Sequence, residues 1–340
     1  NPDLNDDGFT SAAVAHELHH AIQFGLDAHE DASFMEMSSA YVMEVVYDQS
    51  DAASAFIPEF QALPHYSLDY FDYGQPYQYG ASMWLFWLLD DLYAADSADA
   101  LRYIWVYSRQ PFDGTNVVNE PDYFDVMSDL LAASSLDLDE VYASFAGDRW
   151  FTGDADDGTF AEGGNFPGPD IARVLDAGDL PSGDITLSDD TAEFGASYVR
   201  IDLDSPSADA TLALTWDLDP GVEWTILSLR ADASSDRSVI GTAATGTELF
   251  DGFDGESEIV LAFVNRGDGN HDPDNDDWAG SPVTFSLEYD DPSAPGGGGD
   301  DGGDPLGCGC SLAANRGPDG AGVSALLAFL GGAFLLRRRR

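Results

Sequence analysis

The sequence contains no lysine and only thirteen arginines, against 63 acidic residues, so the formal net charge is −50 at pH 7. Such a surface repels phosphates, which argues against nucleic acid as a partner. The chain is also 44% hydrophobic and 12% aromatic, enough to bury a core, so the charge does not indicate disorder. We therefore predict a folded, halophilic or marine protein whose surface charge is screened by salt.

Cysteine is nearly absent, since Cys308 and Cys310 are the only two. One intervening residue is too short for ordinary disulfide geometry, so no disulfide is expected to hold the fold together. Long apolar runs are also missing, except from about 321 to 336, which is slightly short for a transmembrane helix. The four arginines that follow favour the cytoplasmic side of a membrane, so we expect the folded part to lie outside the cytoplasm.

Periodicity divides the chain into a helical part and a strand-rich part. Apolar residues recur at helical spacing in the first 150 residues, including one side of a helix that carries Ala12, Ala15, Leu18 and Ile22. Alternating patterns after about residue 182 predict an antiparallel β-sandwich. The fold class is thus α+β and multidomain. The predicted parts are a helical catalytic part (1–151), a linker (152–181), a β-sandwich (182–291), a Gly/Asp-rich linker with the cysteines (292–319) and a hydrophobic anchor or sorting segment (320–340).

One motif carries chemistry, His16-Glu17-Leu18-His19-His20, which fits H-E-x-x-H on a predicted helix. His16 and His20 are four positions apart, so both imidazoles project from one face and can bind one Zn²⁺. Glu17 can act as the general base that takes a proton from a metal-activated water. His19 could in principle replace His20, but we expect it behind the ligands or facing solvent.

A catalytic zinc needs a third protein ligand. His29, Glu30, Glu36 and Glu44 are the downstream candidates. The sequence resembles the gluzincin-type peptidases, in which a Glu on a later helix is the third ligand and is followed by small residues. That resemblance implies Glu36, followed here by Ser39 and Ala40, with Glu44 as the alternative; Glu30 suits a helix start.

A donor for the oxyanion of a peptide-bond intermediate is also expected. Tyr66, Tyr77, Tyr79 and His65 are available, and we select Tyr79, which opens an apolar helix predicted to run to Ala95. A Ca²⁺ site is an alternative at the acidic segment 3–8, whose match to an EF-hand loop fails at the twelfth position, and at the acidic run 268–278. In so acidic a chain, both segments are more often a helix cap and a solvated loop.

The stretch from residue 15 to 48 resembles a metallopeptidase family of myxobacteria and relatives. The GCGC motif, apolar run and terminal arginines resemble the MYXO-CTERM sorting signal. Together these resemblances imply an exported zinc-dependent metallopeptidase with a protein or peptide substrate, processed and attached at the cell surface by membrane association or sorting machinery.

One departure keeps a second hypothesis open. Zincin catalytic domains carry a β-sheet before the H-E-x-x-H helix, and its edge strand pairs with the substrate. We expect such strands upstream of Asn1. Without them the chain would be a surface-anchored binding or adhesion protein with an incomplete peptidase domain.

Overall fold

The computed structural model describes residues 7–47, 51–93, 96–109, 121–230, 236–253, 255–269, 271–273 and 278–293. Residues 1–297 form one compact unit. The anchor segment 320–340, its linker and most of the acidic segment 3–8 lie outside the described residues. Within the described part, no helix is both long enough and apolar enough to span a membrane.

The N-terminal half is helical, as predicted. Aspartates cap three of its helices: the side chains of Asp31, Asp122 and Asp137 accept hydrogen bonds from backbone amides of the first turn. The helices are α1 (Asp7–Leu26), α2 (Ala32–Val46), α3 (Ile57–Ala62), α4 (Tyr77–Gly80), α5 (Ser82–Leu85), a π-helix (Phe86–Tyr93), α6 (Ser97–Tyr107), α7 (Tyr123–Ala132) and α8 (Leu138–Trp150).

The predicted helix from Tyr79 to Ala95 is divided in the structure. It begins two residues earlier, and its middle is a π-helix rather than an α-helix. Residues 94 and 95 are not described. Trp84 and Trp87 of this segment are buried in the main core, as expected for core aromatics.

Helix α1 does not bury the face that its apolar pattern predicts. Leu18 and Ile22 are 62% and 53% exposed, whereas the buried side chains are Ala12 and a row of polar ones: His16, His19, Gln23 and Asp27. The physical reason is that His16 and Gln23 hydrogen-bond to α2 and that His19 packs against α6, so that side of the helix faces the interior. A helix that buries polar residues and exposes apolar ones breaks the usual pattern, which is typical of a functional site.

The β part is a two-sheet sandwich, as predicted. One sheet has the strand order β1-β3-β8-β5-β6, with β1 parallel to β3 and the remaining pairs antiparallel. The other sheet has the order β2-β9-β4-β7. The strands are β1 (Ile171–Asp176), β2 (Ile185–Thr186), β3 (Gly195–Asp202), β4 (Thr211–Asp217), β5 (Trp224–Arg230), β6 (Asp236–Gly241), β7 (Thr245–Phe250), β8 (Glu258–Asn265) and β9 (Thr284–Asp290).

The five-stranded sheet is covered on both faces. Tyr198, Leu229 and Val260 belong to the core of the helical part, whereas Val199 and Leu261 belong to the core between the two sheets. Tyr198 also donates a hydrogen bond from its hydroxyl to the Ala146 carbonyl of α8 at 2.7 Å. The helices and the sandwich therefore share a core, which explains why β8 is a continuous apolar run and not an alternating one.

The predicted linker 152–181 is not a free connection. It contains β1, which pairs with β3, and it buries Phe160 and Phe166 in the helical core. Its many Gly, Pro and Asp residues form tight turns and short 3-10 helices between these contacts. The segment thus belongs to the folded unit, and its high content of Gly, Pro and Asp does not mark a domain boundary.

Candidate metal centre

His16, His20 and Glu36 converge where α1 meets α2. The Nε2 atoms of His16 and His20 are 3.0 Å apart, and Glu36 Oε2 lies 3.1 Å from the first and 3.4 Å from the second. Tetrahedral Zn²⁺ with bonds of about 2.0–2.1 Å holds its ligand atoms about 3.3–3.4 Å apart. The triangle therefore has the size, and the two-imidazole, one-carboxylate composition, that a single zinc ion fits.

Helix contact brings the ligands together. Ala12 of α1 and Ala40 of α2 are fully buried in one small cluster, so the two helices approach closely over small side chains. Glu36 lies one turn before Ala40 on α2.

Gln23 fixes the orientation of one candidate ligand, His20, and sequence reasoning missed it. Its side chain is fully buried, and its Nε2 donates to the Met35 carbonyl at 2.9 Å. Because a carbonyl can only accept, Gln23 Oε1 must face the other way, 2.7 Å from His20 Nδ1. His20 therefore carries a proton on Nδ1, so Nε2 is the atom that faces His16 and Glu36 and that would bind a metal once it loses its own proton.

The residue three positions after Glu36 is Ser39, and its hydroxyl contacts Gln23. The hydroxyl oxygens of Ser38 and Ser39 lie 3.0 and 3.1 Å from Gln23 Nε2 and share the hydrogen that does not go to the Met35 carbonyl. A serine is small enough for the helix contact and also binds the glutamine that orients His20. An i+3 polar residue after the second histidine is the signal that could have identified Gln23.

The electrostatics favour an ionised carboxylate. Burial by itself would raise the pKa of Glu36, but hydrogen bonds from His16 and His20 outweigh it and hold the pKa at about 2. The hydrogen bond to Glu36 in turn raises the pKa of His20 above its ordinary value. A cation bound at this position would replace the proton that His20 donates to Glu36, because the cation and the proton need the same lone pairs.

Glu17 and Tyr79 flank the ligand triangle. Glu17 is exposed on α1, and its negative charge contributes to the raised pKa values of both His20 and Tyr79. The ring of Tyr79 stacks on His16 with 5.6 Å between ring centroids. Burial, and next the charge of Glu36, raise the pKa of Tyr79 to about 12, so its hydroxyl stays protonated.

The other candidate ligands lie elsewhere. Glu44 is buried and accepts a hydrogen bond from the Ala53 amide at 3.0 Å. Glu30 is buried, so desolvation raises its pKa to about 8, and it accepts a hydrogen bond from the Asp31 amide just before α2. His29 is exposed on the loop between α1 and α2. Among the described residues, no second group of three such ligands converges within 4.8 Å, and part of the acidic run 268–278 is not described.

The remaining aromatic candidates make other contacts. Tyr77 is buried and donates its hydroxyl to the Ser67 carbonyl at 2.9 Å. His65 and Tyr66 contact each other edge to face. His19 is buried against Trp105, and burial followed by the charges of His20 and His16 lowers its pKa to about 4. It therefore does not face solvent, and it is absent from the group of convergent ligands.

Comparisons with known proteins are sparse. No family model matches the chain, and no curated protein matches it. Among solved structures, the chain is similar to the pre-peptidase C-terminal domain of a collagenase from Bacillus anthracis, with 9% identity and a TM-score of 0.22. The match covers 36% of this chain and 99% of that domain. A likeness at this level carries no inference about function, so function rests on the site itself.

Proposed function

We propose that this chain is an exported zinc-dependent metallopeptidase in which His16, His20 and Glu36 hold the metal. The observation that carries the proposal is the triangle of ligand atoms, 3.0 to 3.4 Å on each side, with one histidine oriented by a buried glutamine. Two neutral imidazoles and one carboxylate are a donor set found in catalytic zinc sites. Zn²⁺ bound there supplies a Lewis acid and lowers the pKa of a coordinated water.

Residues of this chain would transfer the proton, stabilise the oxyanion and orient the metal ligand. Glu17, next to a ligand on α1, accepts a proton at its exposed carboxylate and returns it to the leaving amine. Tyr79, whose pKa is about 12, keeps its proton and can donate a hydrogen bond to the developing oxyanion. Gln23 holds His20 in the tautomer that leaves Nε2 free to bind metal.

A pair of variants tests the proposal. Glu17→Gln should keep one zinc per chain and lose hydrolysis of casein, because it removes the base but no ligand. His16→Ala should lose the zinc as well. Glu59→Gln and His29→Gln are matched controls, since both residues are exposed and lie outside the triangle, and they should retain zinc and activity.

Two outcomes would contradict the assignment. Hydrolysis that survives a chelator or the Glu17→Gln change would mean that these residues do not perform it. Zinc binding without hydrolysis of any protein substrate would refute the peptidase and favour the alternative, a surface-anchored binding protein that keeps a metal site.

Export is supported by the tail of the sequence. The GCGC motif, the apolar run and the terminal arginines are consistent with sorting to the cell surface. Fractionation of cells that produce the full chain tests this, and recovery of the folded part from the cytoplasm would refute it.

A further inference from the structure

A pocket of about 290 Å³ opens beside the metal triangle. Glu36 and Tyr79 form the wall that it shares with the site, and the loop 71–76 with Gln78 forms the rest. Small-molecule sites generally begin at roughly 300 Å³. A pocket of this size therefore suits one amino-acid side chain next to the reacting bond.

One residue that lines the pocket, Gln78, carries a buried hydrogen-bond acceptor that has no partner among the described residues. Gln78 is 2% exposed, and its Nε2 donates to the Asp72 carbonyl at 3.3 Å. Because that carbonyl can only accept, Gln78 Oε1 is directed away from it, and Oε1 has no hydrogen-bond partner among the described residues. A buried acceptor without a partner costs free energy, so a ligand that brings a donor is favoured. The terminal torsion of a glutamine is broad, so a rotation that gives up the 3.3 Å bond to Asp72 can bring the oxygen to a donor in the pocket.

The walls of the pocket suit a long side chain with a positive end. Phe71 and Tyr73 pack edge to face with 4.7 Å between centroids, and Tyr73 is 94% exposed, so its ring is available to a ligand. Aromatic faces attract guanidinium and ammonium groups and cover their alkyl stems. The lining includes no arginine, and the chain has no lysine, so nothing in the wall repels a cation.

We propose that this pocket binds a basic side chain of the peptide, arginine best, with the guanidinium donating to Gln78 Oε1 and the stem lying against Phe71 and Tyr73. The assignment of the pocket to a peptide substrate rests on the proposed peptidase function. The net charge of −50 adds a long-range attraction for basic peptides over acidic ones.

Binding to the metal-free full chain tests the pocket apart from catalysis. Three probes differ only in the side-chain end: the N-acetyl amides of arginine, citrulline and norleucine, titrated by ligand-observed NMR. A hydrogen bond from a charged donor to a buried acceptor should make arginine bind about tenfold tighter than norleucine. Citrulline, which keeps the N–H donors and loses the charge, should fall between the two.

Variants assign the binding to named residues. Gln78→Leu should weaken arginine binding to the level of norleucine and leave norleucine unchanged. Tyr73→Ala, at a site too exposed to affect folding, should reduce the advantage of arginine over citrulline. Tyr107→Ala, an exposed tyrosine on α6, is the matched control and should change neither. Norleucine binding as tightly as arginine, or arginine binding that ignores Gln78→Leu, would overturn the proposal.

Hydrolysis by the zinc-loaded chain then tests whether the pocket serves the site. Peptides with arginine or norleucine next to the scissile bond should differ in kcat/KM by about tenfold, and Gln78→Leu should remove that difference. Equal rates for the two peptides would overturn the role as a substrate subsite. Arginine binding to the metal-free chain with no hydrolysis of any peptide would refute the peptidase and support the pocket as an arginine site.

Discussion

Replacing Glu30 with glutamine should stabilise this protein at pH 8 and have little effect at pH 4.5. Glu30 is 4% exposed, and it accepts a hydrogen bond from the Asp31 amide at 3.0 Å. Burial, together with the charges of Asp122 and Asp31, raises its pKa from 4.5 to about 8. Glutamine has nearly the same shape, keeps the carbonyl acceptor and carries no charge.

The direction of the pH effect follows from proton binding. Between pH 4.5 and 8 the folded chain keeps the Glu30 proton and the unfolded chain has lost it, so the folded state binds more protons. The free energy of unfolding therefore falls as the pH rises through this range and is insensitive to Glu30 below it. At about 1.4 kcal/mol per pKa unit, the cost at pH 8 is about 4 kcal/mol. Glu30→Gln removes that cost.

Urea unfolding of both proteins at pH 5 and pH 8, with chelator present to exclude metal linkage, measures the effect. The variant should gain about 3–4 kcal/mol over the wild type at pH 8 and less than about 1 kcal/mol at pH 5. Glu59→Gln, which changes an exposed carboxylate, should give no difference at either pH. Equal stabilisation at the two pH values, or a loss at pH 8, would refute the argument that burial holds the proton on Glu30.

Three further predictions follow from buried contacts. Gln23→Leu should weaken zinc affinity by about ten- to a hundredfold, because His20 loses the hydrogen bond that holds its proton on Nδ1. Competition with a chelator measures this affinity, and an unchanged affinity would refute the role of Gln23. Gly80→Ala should cost about 2–3 kcal/mol in urea unfolding, since a Cβ there would lie 2.4 Å from a backbone oxygen before α3, and a wild-type midpoint would contradict this packing. His271, paired with Asp139 and Glu193, has a pKa raised to about 10: burial alone would lower it, but the hydrogen bonds that His271 donates to these two carboxylates outweigh burial. Its ion pairs are thus complete below pH 6.5 and lost as the pH rises toward 10, so His271→Gln should cost about 3 kcal/mol at pH 6 and less at pH 10; a cost independent of pH would refute the pairing.

The part of the site that the sequence predicts is the part fixed by local geometry. His16 and His20 share a face because a helix repeats every 3.6 residues, and Glu17 is adjacent by sequence. The choice of Glu36 over Glu44 needed a second helix to pack in one register, which depends on Ala12 meeting Ala40. Periodicity could not foresee that contact because it involves residues far apart in the chain.

The errors have a common physical cause. The apolar pattern of α1 predicted Leu18 and Ile22 inside, but hydrogen bonds to α2 determine which side is buried, and these are not visible in hydrophobicity. Strands β6 and β7 were not predicted, since β6 buries no side chain fully, β7 exposes Leu249 and buries only Phe250, and Gly246 is packed under Trp216. Strand β1 lies among Gly, Pro and Asp residues, and only its pairing with β3 makes it a strand.

Two of the few arginines make contacts inside the fold. Arg149 is 1% exposed and donates from Nε to Gln61 Oε1 at 2.6 Å, so a neutral amide partners a fully buried cation. Arg237 of β6 pairs with Asp148 of α8 and with Asp157, joining the sandwich to the helices. Salt screens exposed charges far more than buried ones. Molar salt should therefore relieve the repulsion between surface carboxylates and leave these internal contacts intact, which is how a chain of this charge can remain one folded unit.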